Sequence, residues 1–382
     1  MISQPQSELL ELIKRSLFGV TPNLPENVDL AAIYAEARAQ TVIALVPPAL
    51  PEDLAAKWEE PAAQSIAHYM RTLLEQKLLL KLLESKQIPL VILKGTAAAV
   101  YYPKPQYRTM GDIDFYVFEE DFETAYGLLV DNGYTFVGDF SGGREYKFTK
   151  NEIVFELHRR YSDEEFDIEP VLLNGMKHAV TRSVSGQTFP SLPNDENGIL
   201  LLDHIRHHLT GGLGLRQIID WTMFANSILD NDHYEQHFLP LLKLTGLEKF
   251  CKIVTKMCKM YLYLPESVTW CDDADTITAE ELFEAVMSSG NFGRKKAPYE
   301  YNPVTGFIID ARKNGFFKSL QAAGMINFEI CKKNKFFRPF AWIFQLFRYM
   351  IRGFISLFKG QKVFKDISAG NDKSDFDKRL GI

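Results

Sequence analysis

The amino-acid sequence predicts an α+β protein in which a small mixed β-sheet lies between N-terminal and C-terminal helical regions. Apolar residues recur at three- and four-residue spacing from residue 5 to about residue 87, and again from about residue 195 onward, as they do along one face of a helix. Between these stretches, from Ile88, short apolar runs rich in β-branched residues indicate buried strands. A length of 382 residues is enough for two or three domains.

The helical regions are predicted from apolar spacing and from capping residues. The N-terminal region contains two stretches with helical spacing, SELLELIKRSLF and AHYMRTLLEQKLLLKLLESK. The later region opens with N-cap residues in NDENGILLLDHIRHHLT, stops at Gly211-Gly212, and resumes in LRQIIDWTMFANSIL and LPLLKLTGLEKFCKIVTKMCKMYL. The predicted regions are a helical 1–87, a sheet-containing core at 88–190, a helical 191–330, and a basic amphipathic segment with a tail at 331–382.

Four strands are predicted in the core region. The first is the apolar run IPLVIL, which ends at Lys94-Gly95, and the second is DIDFYVF. A short helix in TAAAVYY separates them and must end at the prolines of PKPQ. FEEDFETAYGLLVDNGY predicts a helix closed by Asn132-Gly133. GREYKFTKNEIVFELHRR alternates on both sides of Lys150-Asn151, as a β-hairpin does.

Composition restricts the class of protein and its location. A hydrophobic content of 46% with 24% charged residues is ordinary for a globular protein and allows a sizeable core. The net charge of −6 argues against a surface adapted broadly to nucleic acid. The four cysteines have no regular spacing, and the N-terminus lacks the basic and long apolar segments of a secretory signal. Reduced thiols and a cytoplasmic location are therefore predicted.

Two aspartates interrupt the second predicted strand. Alternate residues of a strand point to the same face, so Asp112 and Asp114 are predicted to present their carboxylates together, while Ile113 and Phe115 face the other way. Two like charges so close repel each other unless a cation lies between them. Magnesium prefers oxygen ligands and bridges carboxylates to substrate phosphates. The pair therefore indicates a Mg²⁺ site.

A third acid occurs in the predicted hairpin. Glu156 lies between Phe155 and Leu157 on a strand that is able to lie beside DIDFYV. Such a trio would hold two metal ions and leave one carboxylate near an attacking hydroxyl. The alternative is that each acid decorates a solvent-exposed strand face. Three acids flanked by apolar residues favour the site.

These residues resemble a known superfamily. A glycine turn after a strand, a D-h-D strand (h, an apolar residue) and a third acid in an h-[DE]-h strand are the pattern of the DNA polymerase β-like nucleotidyltransferases. More closely, LKG, the YYP element, Arg108 and GDIDFYV look like a bacterial group of uncharacterised nucleotidyltransferases, as do HIRHHLT and LRQIIDW. The resemblance covers roughly residues 85–230, and its combination of motifs is far more specific than any single one.

The resemblance implies a metal centre and a nucleotide site. Asp112 and Asp114 would ligate magnesium, and Glu156 would complete the site or act as the base toward the acceptor hydroxyl. The turn at Gly95, at the start of a helix near Thr96, would bind the triphosphate through backbone N–H groups. Many relatives have Gly-Ser at this turn. Here Thr96 keeps the hydroxyl but adds a methyl, and Lys94 precedes Gly95 with an ammonium able to reach a phosphate, so all three are candidate nucleotide-binding residues.

Arg108 has two interpretations in this pattern. It would neutralise a phosphate by a bidentate contact, or it would pair with a nearby acid such as Asp112. Its place in the matched pattern favours phosphate.

The predicted activity is Mg²⁺-dependent transfer of a nucleoside monophosphate from a nucleoside triphosphate to a hydroxyl, with release of pyrophosphate. ATP is the favoured donor. The acceptor is a small molecule such as a sugar or an aminoglycoside-like compound, or else a protein or an RNA end. The alternative is a non-catalytic binding module with the same fold, held at a membrane surface. Retention of all three acids favours the enzyme.

Other polar residues gave weaker signals. His204, His207 and His208 would lie near one face of a helix, where packing or substrate contact is favoured over zinc because no HExxH motif is present. His158 shares the strand face of Glu156 and is a candidate second-shell or acceptor-side residue. Asp220, an acid on an apolar helix face, would bind an arginine or shape the pocket, and a simple buried ion pair is an equal alternative.

The segment 331–365 has nine Lys/Arg and no acid. Gln345, Arg348 and Arg352 begin a polar helical stripe that leaves a broad apolar face, and the longest uncharged run is far below the roughly 20 residues that cross a bilayer. Residues 336–358 would lie on the inner face of the membrane or bind an acidic partner. Packing of the apolar face on the protein's own helices is the favoured alternative.

Overall fold

The chain forms two compact units, Met1–Pro298 and Tyr299–Ile382. The division into four regions predicted from the sequence stays a prediction. The computed structural model describes the following residues: 2–25, 27–140, 143–161, 167–295, 307, 310–312, 315–328, 330, 331, 334, 336–358 and 363–382.

The first unit contains a seven-stranded mixed sheet, in the order β3-β4-β5-β2-β1-β7-β6. The strands are β1 Leu90–Leu93, β2 Ile113–Val117, β3 Thr135–Phe140, β4 Glu145–Lys150, β5 Ile153–His158, β6 Val180–Val184 and β7 Gln187–Ser191. β2 runs parallel to β5 and antiparallel to β1, which runs parallel to β7. The predicted α+β class is confirmed.

The central strands are buried on both faces. All residues of β1 and β2 are buried, which explains why these strands read as nearly continuous apolar runs. One face packs on helices through a core that includes Ile113, Phe115, Leu129 and Phe155. Ile113 and Phe115 therefore face away from Asp114, as predicted. Burial of polar side chains on the opposite face needs a reason, because an unpaired buried charge is costly.

Helices surround the sheet. In the first unit they are α1 Gln4–Phe18, α2 Leu30–Ala39, α3 Glu52–Ala55, α4 Glu59–Glu84, α5 Gly95–Ala99, α6 Phe122–Asp131, α7 Glu169–Lys177, α8 Asn194–Gly211, α9 Leu215–Ile228, α10 Asn231–His233, α11 Leu239–Thr245, α12 Glu248–Tyr261 and α13 Thr276–Ser289. Gly133, with φ +80°, follows the end of α6, and Gly246, with φ +72°, divides α11 from α12.

Three of the strands, β3, β6 and β7, were not predicted from the sequence. β3 is an exposed edge strand with a register irregularity between Phe136 and Gly138, so it carries little apolar alternation. β6 and β7 form a hairpin whose turn, Ser185-Gly186, has positive φ at both residues, a short-range hairpin signal. Pro190 argues against a strand in the sequence, because proline is disfavoured within a sheet. This proline lies in β7, which is the neighbour of the edge strand β6.

The second unit contains α14 Phe316–Asn327, α15 Ala341–Phe358 and α16 Val363–Leu380. α14 and α15 pack closely at Gly324, where a Cβ atom would lie 2.1 Å from the carbonyl oxygen of Ala341. Gln345, predicted on the polar stripe, is buried, and its Oε1 accepts a hydrogen bond from Asn327 Nδ2 at 3.3 Å. Gln345 therefore faces α14, where a polar partner satisfies its amide. No described helix is long and apolar enough to cross a membrane.

Candidate active site

A row of charged residues crosses the polar face of the sheet. The register pairs Lys147 of β4 with Glu156 of β5, and Glu156 with Asp114 of β2. Residues that oppose each other on neighbouring strands bring their side chains within contact. His158 lies two residues beyond Glu156, on the same face. The fold therefore places two carboxylates and an imidazole side by side.

The distances within this row define a cluster. His158 Nε2 lies 3.0 Å from Asp114 Oδ1, and Lys94 Nζ donates to the same oxygen at 2.7 Å. Lys147 Nζ donates to Glu156 Oε1 at 2.6 Å. Candidate ligand atoms of Asp114, Glu156 and His158 all lie within 4.8 Å of one another. All three residues are buried.

The carboxylates of the cluster repel one another. Burial, Asp114 and Asp112 raise the pKa of Glu156 to about 10. Burial alone would raise the pKa of Asp114, but Lys94 and His158 hold it well below its usual range. Burial would likewise lower the pKa of Lys94, but Asp114, Glu156 and Asp112 contribute to raising it well above its usual value. Crowded carboxylates of this kind are stabilised by a cation.

Asp112 does not belong to this cluster. β2 begins at Ile113, so Asp112 lies just before the strand rather than within it. It lines the same cavity as Asp114 and is only partly exposed. The prediction that both aspartates lie on one strand face is corrected, because regular pairing of β2 with β5 starts one residue later. His158, predicted as a second-shell or acceptor-side residue, lies in the cluster with Asp114 and Glu156.

The turn between β1 and α5 brings a backbone of unusual conformation to the cavity. Lys94 has φ +48° and Gly95 has φ +25°, and both residues line the cavity. A side chain disfavours positive φ, so this turn holds Lys94 in a strained conformation. Thr96 is fully buried, and its Oγ1 donates to Gln76 Oε1 at 2.6 Å. The Thr96 hydroxyl thus bonds to α4, and this geometry does not support its contact with phosphate.

Arg108 and Asp220 form a buried pair. Arg108 Nε and Nη2 donate to Asp220 Oδ1 and Oδ2 at 2.8 and 2.7 Å, and Tyr102 donates to Oδ1 at 2.7 Å. Arg108 and Asp220 are 3% and 1% exposed. The bidentate contact predicted with phosphate is therefore made with Asp220 of α9, although Arg108 still borders the cavity. This pair fixes the segment before β2 to the helical region.

Histidines of α8 form another wall. His204 Nε2 and His208 Nε2 lie 2.9 Å apart, and both residues line the cavity. Burial, and then Lys94 and Arg216, lower the pKa of His208 to about 3, so it stays neutral. His207 Nδ1 lies 3.0 Å from the Asp203 carboxylate. Within the described part of the chain, these histidines are not in the metal-ligand cluster.

The cavity has a volume of about 270 Å³. Sequence reasoning missed several residues that line it: Gly111, Arg144, Glu145, Lys147, Arg160, Tyr161, Arg216 and Phe292. The alternation of EYKFTK could have indicated Lys147, which shares a strand face with Glu145. The i, i+4 spacing of Arg216 and Asp220 in LRQIIDW could have indicated a shared helix face.

A cluster of acids and an imidazole beside a glycine turn, on the polar face of a mixed sheet, defines a site suited to metal-assisted phosphate chemistry. A family model described as "uncharacterised nucleotidyltransferase" matches residues 22–262, more than half of the chain. The chain belongs to this nucleotidyltransferase family. The resemblance found in the sequence is confirmed, and the match extends beyond residues 85–230 at both ends.

Two solved structures are similar to parts of this chain. ANT(2")-Ia, solved in complex with adenylyl-2"-tobramycin, has 11% identity and a TM-score of 0.33, over 45% of this chain and 97% of that one. An antigenic nucleotidyltransferase-like protein from Paracoccidioides brasiliensis has 15% identity and a TM-score of 0.31, over 53% of this chain and 93% of that one. No curated protein sequence matches the chain. Family membership rests on the family model alone.

Proposed function

We propose that the protein transfers a nucleoside monophosphate, with AMP favoured, from a nucleoside triphosphate to a hydroxyl acceptor and releases pyrophosphate. The observation that carries this proposal is the buried cluster of Asp114, Glu156 and His158 in a cavity that also contains the Lys94-Gly95 turn. Such a cavity has the acids for metal binding and the cations for a polyphosphate. Membership of the nucleotidyltransferase family supports this reaction class.

The donor set fits a divalent cation. Two carboxylates and an imidazole converge, and the raised pKa of Glu156 indicates that the protein alone compensates its charge incompletely. Asp114, Glu156 and His158 would hold one Mg²⁺ ion, and Asp112 with Asp114 is the pair that would hold a second. Bound metal would polarise the phosphate oxygens and neutralise the charge that develops on them. Mn²⁺ accepts the same carboxylate and water ligands as Mg²⁺ and is the ion to test beside magnesium.

The chain's own residues orient and deprotonate the reactants in this proposal. Glu156 would complete the metal site or accept the proton of the acceptor hydroxyl. Burial, Asp114 and Asp112 raise its pKa, so the second role needs a bound cation that keeps its carboxylate ionised. Lys94 sits at the turn after β1, and its ammonium would move between Asp114 and a phosphate oxygen. His204 and His208 stay neutral and would contact the acceptor. The protein would act in the cytoplasm on a sugar-like or aminoglycoside-like acceptor, or on a protein or RNA end.

A thermal-shift titration with Mg²⁺, Mn²⁺ and each nucleoside triphosphate tests this function. We expect ATP with metal to raise the unfolding temperature, because a ligand at about 100 times its Kd stabilises the folded state by about 2.7 kcal/mol. The double variant Asp112→Asn with Asp114→Asn should lose this metal-dependent stabilisation. No metal-dependent nucleotide stabilisation of the wild-type protein would refute the enzyme. Equal stabilisation by nucleotide with and without metal would favour a binding module of the same fold.

We also propose that residues 336–358 associate with an anionic membrane surface. In the second unit, Phe347, Met350 and Ile351 of α15 are 59%, 54% and 59% exposed. No acid occurs between residues 331 and 365, so the segment is complementary to anionic lipid. An exposed apolar face next to basic residues is typical of helices that lie in the interface of a bilayer.

Co-sedimentation with vesicles of phosphatidylserine and phosphatidylcholine tests the association. The triple variant Phe347→Ser, Met350→Ser, Ile351→Ser should remain in the supernatant while the wild-type chain sediments. A matched control is Leu244→Ser with Ile277→Ser, two exposed apolar residues of the first unit, at 68% and 66% exposure, which should sediment like the wild type. Equal sedimentation of wild type and triple variant would exclude α15 as the attachment.

A further inference from the structure

A buried arginine at the start of α9 faces the cavity without a charged partner. Arg216 is 8% exposed and lines the cavity. Its Nε has no hydrogen-bond partner, and its Nη1 makes one long bond, 3.4 Å, to the carbonyl oxygen of Thr109. It forms no ion pair with any described carboxylate. A guanidinium that has lost water without gaining a counter-charge carries a desolvation cost that an anionic ligand would offset.

Two acids carry charge near this arginine: Asp220 is committed to Arg108, whereas Asp112 lines the same cavity but forms no ion pair with Arg216. Both oxygens of Asp220 accept from Arg108, and Asp114 accepts from Lys94 and contacts His158. Burial, followed by Arg108, lowers the pKa of Arg216, as expected for a cation among cations. Arg216 therefore carries a positive charge that no described ion pair neutralises.

Two glycines lie close to the surroundings of this side chain. Gly111, next to Asp112, packs against the guanidinium, where a Cβ atom would lie 3.4 Å from Arg216 Nη1, an ordinary van der Waals contact. Gly214 precedes α9, and a Cβ atom there would lie 2.7 Å from Asn291 Cα. Glycine at this position lets the turn at 291–293 pack against the start of α9, where the Phe292 ring centroid lies 5.9 Å from the Arg216 guanidinium carbon. Arg216 is thus held between the segment before β2 and an aromatic ring.

We propose that Arg216, and not Arg108, is the arginine that binds the polyphosphate of the nucleotide donor. The free donors of its guanidinium suit a bidentate contact with phosphate oxygens, which a lysine is unable to make. Its neighbours in the cavity, Gly95 and Asp112, place it beside the glycine turn and the metal cluster. The proposal rests on the proposed function for the identity of the anion as a nucleoside triphosphate.

Isothermal titration with sodium tripolyphosphate and with ATP, each in the presence of Mg²⁺, tests the assignment on the full-length protein. Arg216→Gln should raise the Kd of both ligands by about tenfold to a hundredfold, as loss of a charged hydrogen-bond donor does. Arg216→Lys should give an intermediate Kd, because lysine keeps the positive charge but lacks the planar pair of N–H donors that makes a bidentate contact. The control Arg71→Gln, an exposed arginine paired with Glu152, should bind like the wild type.

Two further measurements separate a ligand-binding role from a structural one. Titration with Mn²⁺ alone should give Arg216→Gln an affinity equal to or higher than that of the wild type, because the change removes a positive charge near the metal site and none of its ligands. Without ligand, Arg216→Gln should unfold at the same temperature as the wild type or higher, because it removes an uncompensated buried charge. A lower unfolding temperature with unchanged tripolyphosphate affinity would overturn the proposal.

The outcomes also distinguish this proposal from the proposed function. If the wild type binds tripolyphosphate and Arg216→Gln does so equally well, the assignment of Arg216 is wrong and the nucleotidyl transfer stands. If the wild type binds tripolyphosphate through Arg216 but transfers no nucleotide, the assignment stands and the reaction is wrong. If the wild type binds neither tripolyphosphate nor ATP, both are wrong.

Discussion

Asp114→Asn is expected to reduce nucleotidyl transfer by about a thousandfold or more, a barrier increase of about 4 kcal/mol. Asp114 lies at the centre of the cluster, since one of its oxygens contacts both Lys94 and His158 and its strand pairs directly with Glu156. Asparagine has nearly the same shape but no charge, so the cluster loses a ligand of the metal while the packing of β2 is retained. The measurement is the rate of pyrophosphate release at saturating ATP and metal.

A matched control separates this effect from a change of net charge or of folding. Asp131, an exposed aspartate at the end of α6, is converted to asparagine in parallel. Asp131→Asn should keep the wild-type rate, and both variants should show a single cooperative unfolding transition. A rate for Asp114→Asn within tenfold of the wild type would contradict the assignment of the cluster as the catalytic centre.

The second large effect is on stability. Asp220→Ala should lower the free energy of unfolding by about 3–5 kcal/mol, because it leaves the Arg108 guanidinium buried without its counter-charge. Arg108 loses two hydrogen bonds to the carboxylate, and Tyr102 loses one. The measurement is urea denaturation followed by circular dichroism, with stability taken from the midpoint and slope.

An exposed ion pair of the same unit provides the comparison. Arg71 and Glu152 are 51% and 84% exposed, so Glu152→Gln should change stability by less than about 1 kcal/mol. In the double variant Arg108→Met, Asp220→Leu, apolar side chains replace both charges, and part of the lost stability should return. Equal and small effects of Asp220→Ala and Glu152→Gln would contradict a structural role for the buried pair.

Much of the sheet and part of the site could be predicted from local patterns. The alternation on either side of Lys150-Asn151 predicted β4 and β5, and the two apolar runs before them predicted β1 and β2. Asp114 and Glu156 stood out because each is a charged residue within a predicted strand that is otherwise apolar. Local patterns succeed here because a strand has a period of two and a hairpin connects neighbours in the chain.

The partners of polar side chains could not be predicted, because they depend on contacts between distant segments. Arg108 pairs with Asp220, 112 residues later in the chain, and the sequence offered phosphate as an equally complementary partner. Thr96 resembles the serine of related turns, yet its hydroxyl reaches Gln76 of a preceding helix. β2 begins at Ile113, one residue later than predicted, which leaves Asp112 just outside the strand. Arg216 was missed because a free guanidinium becomes apparent only when all other pairings are known.

The most direct test of the central claim follows the fate of each phosphate of ATP. The protein is incubated with metal, a cell extract and ATP carrying label on either the α- or the γ-phosphate. Products are separated by chromatography and identified by mass spectrometry. Nucleotidyl transfer predicts that the wild type, and not Asp114→Asn, places α-label in an acceptor with the mass of an added nucleoside monophosphate, and that this product carries no γ-label. Transfer of γ-label to the acceptor, or no Asp114-dependent incorporation of either label, would contradict the assignment of this site to nucleotidyl transfer.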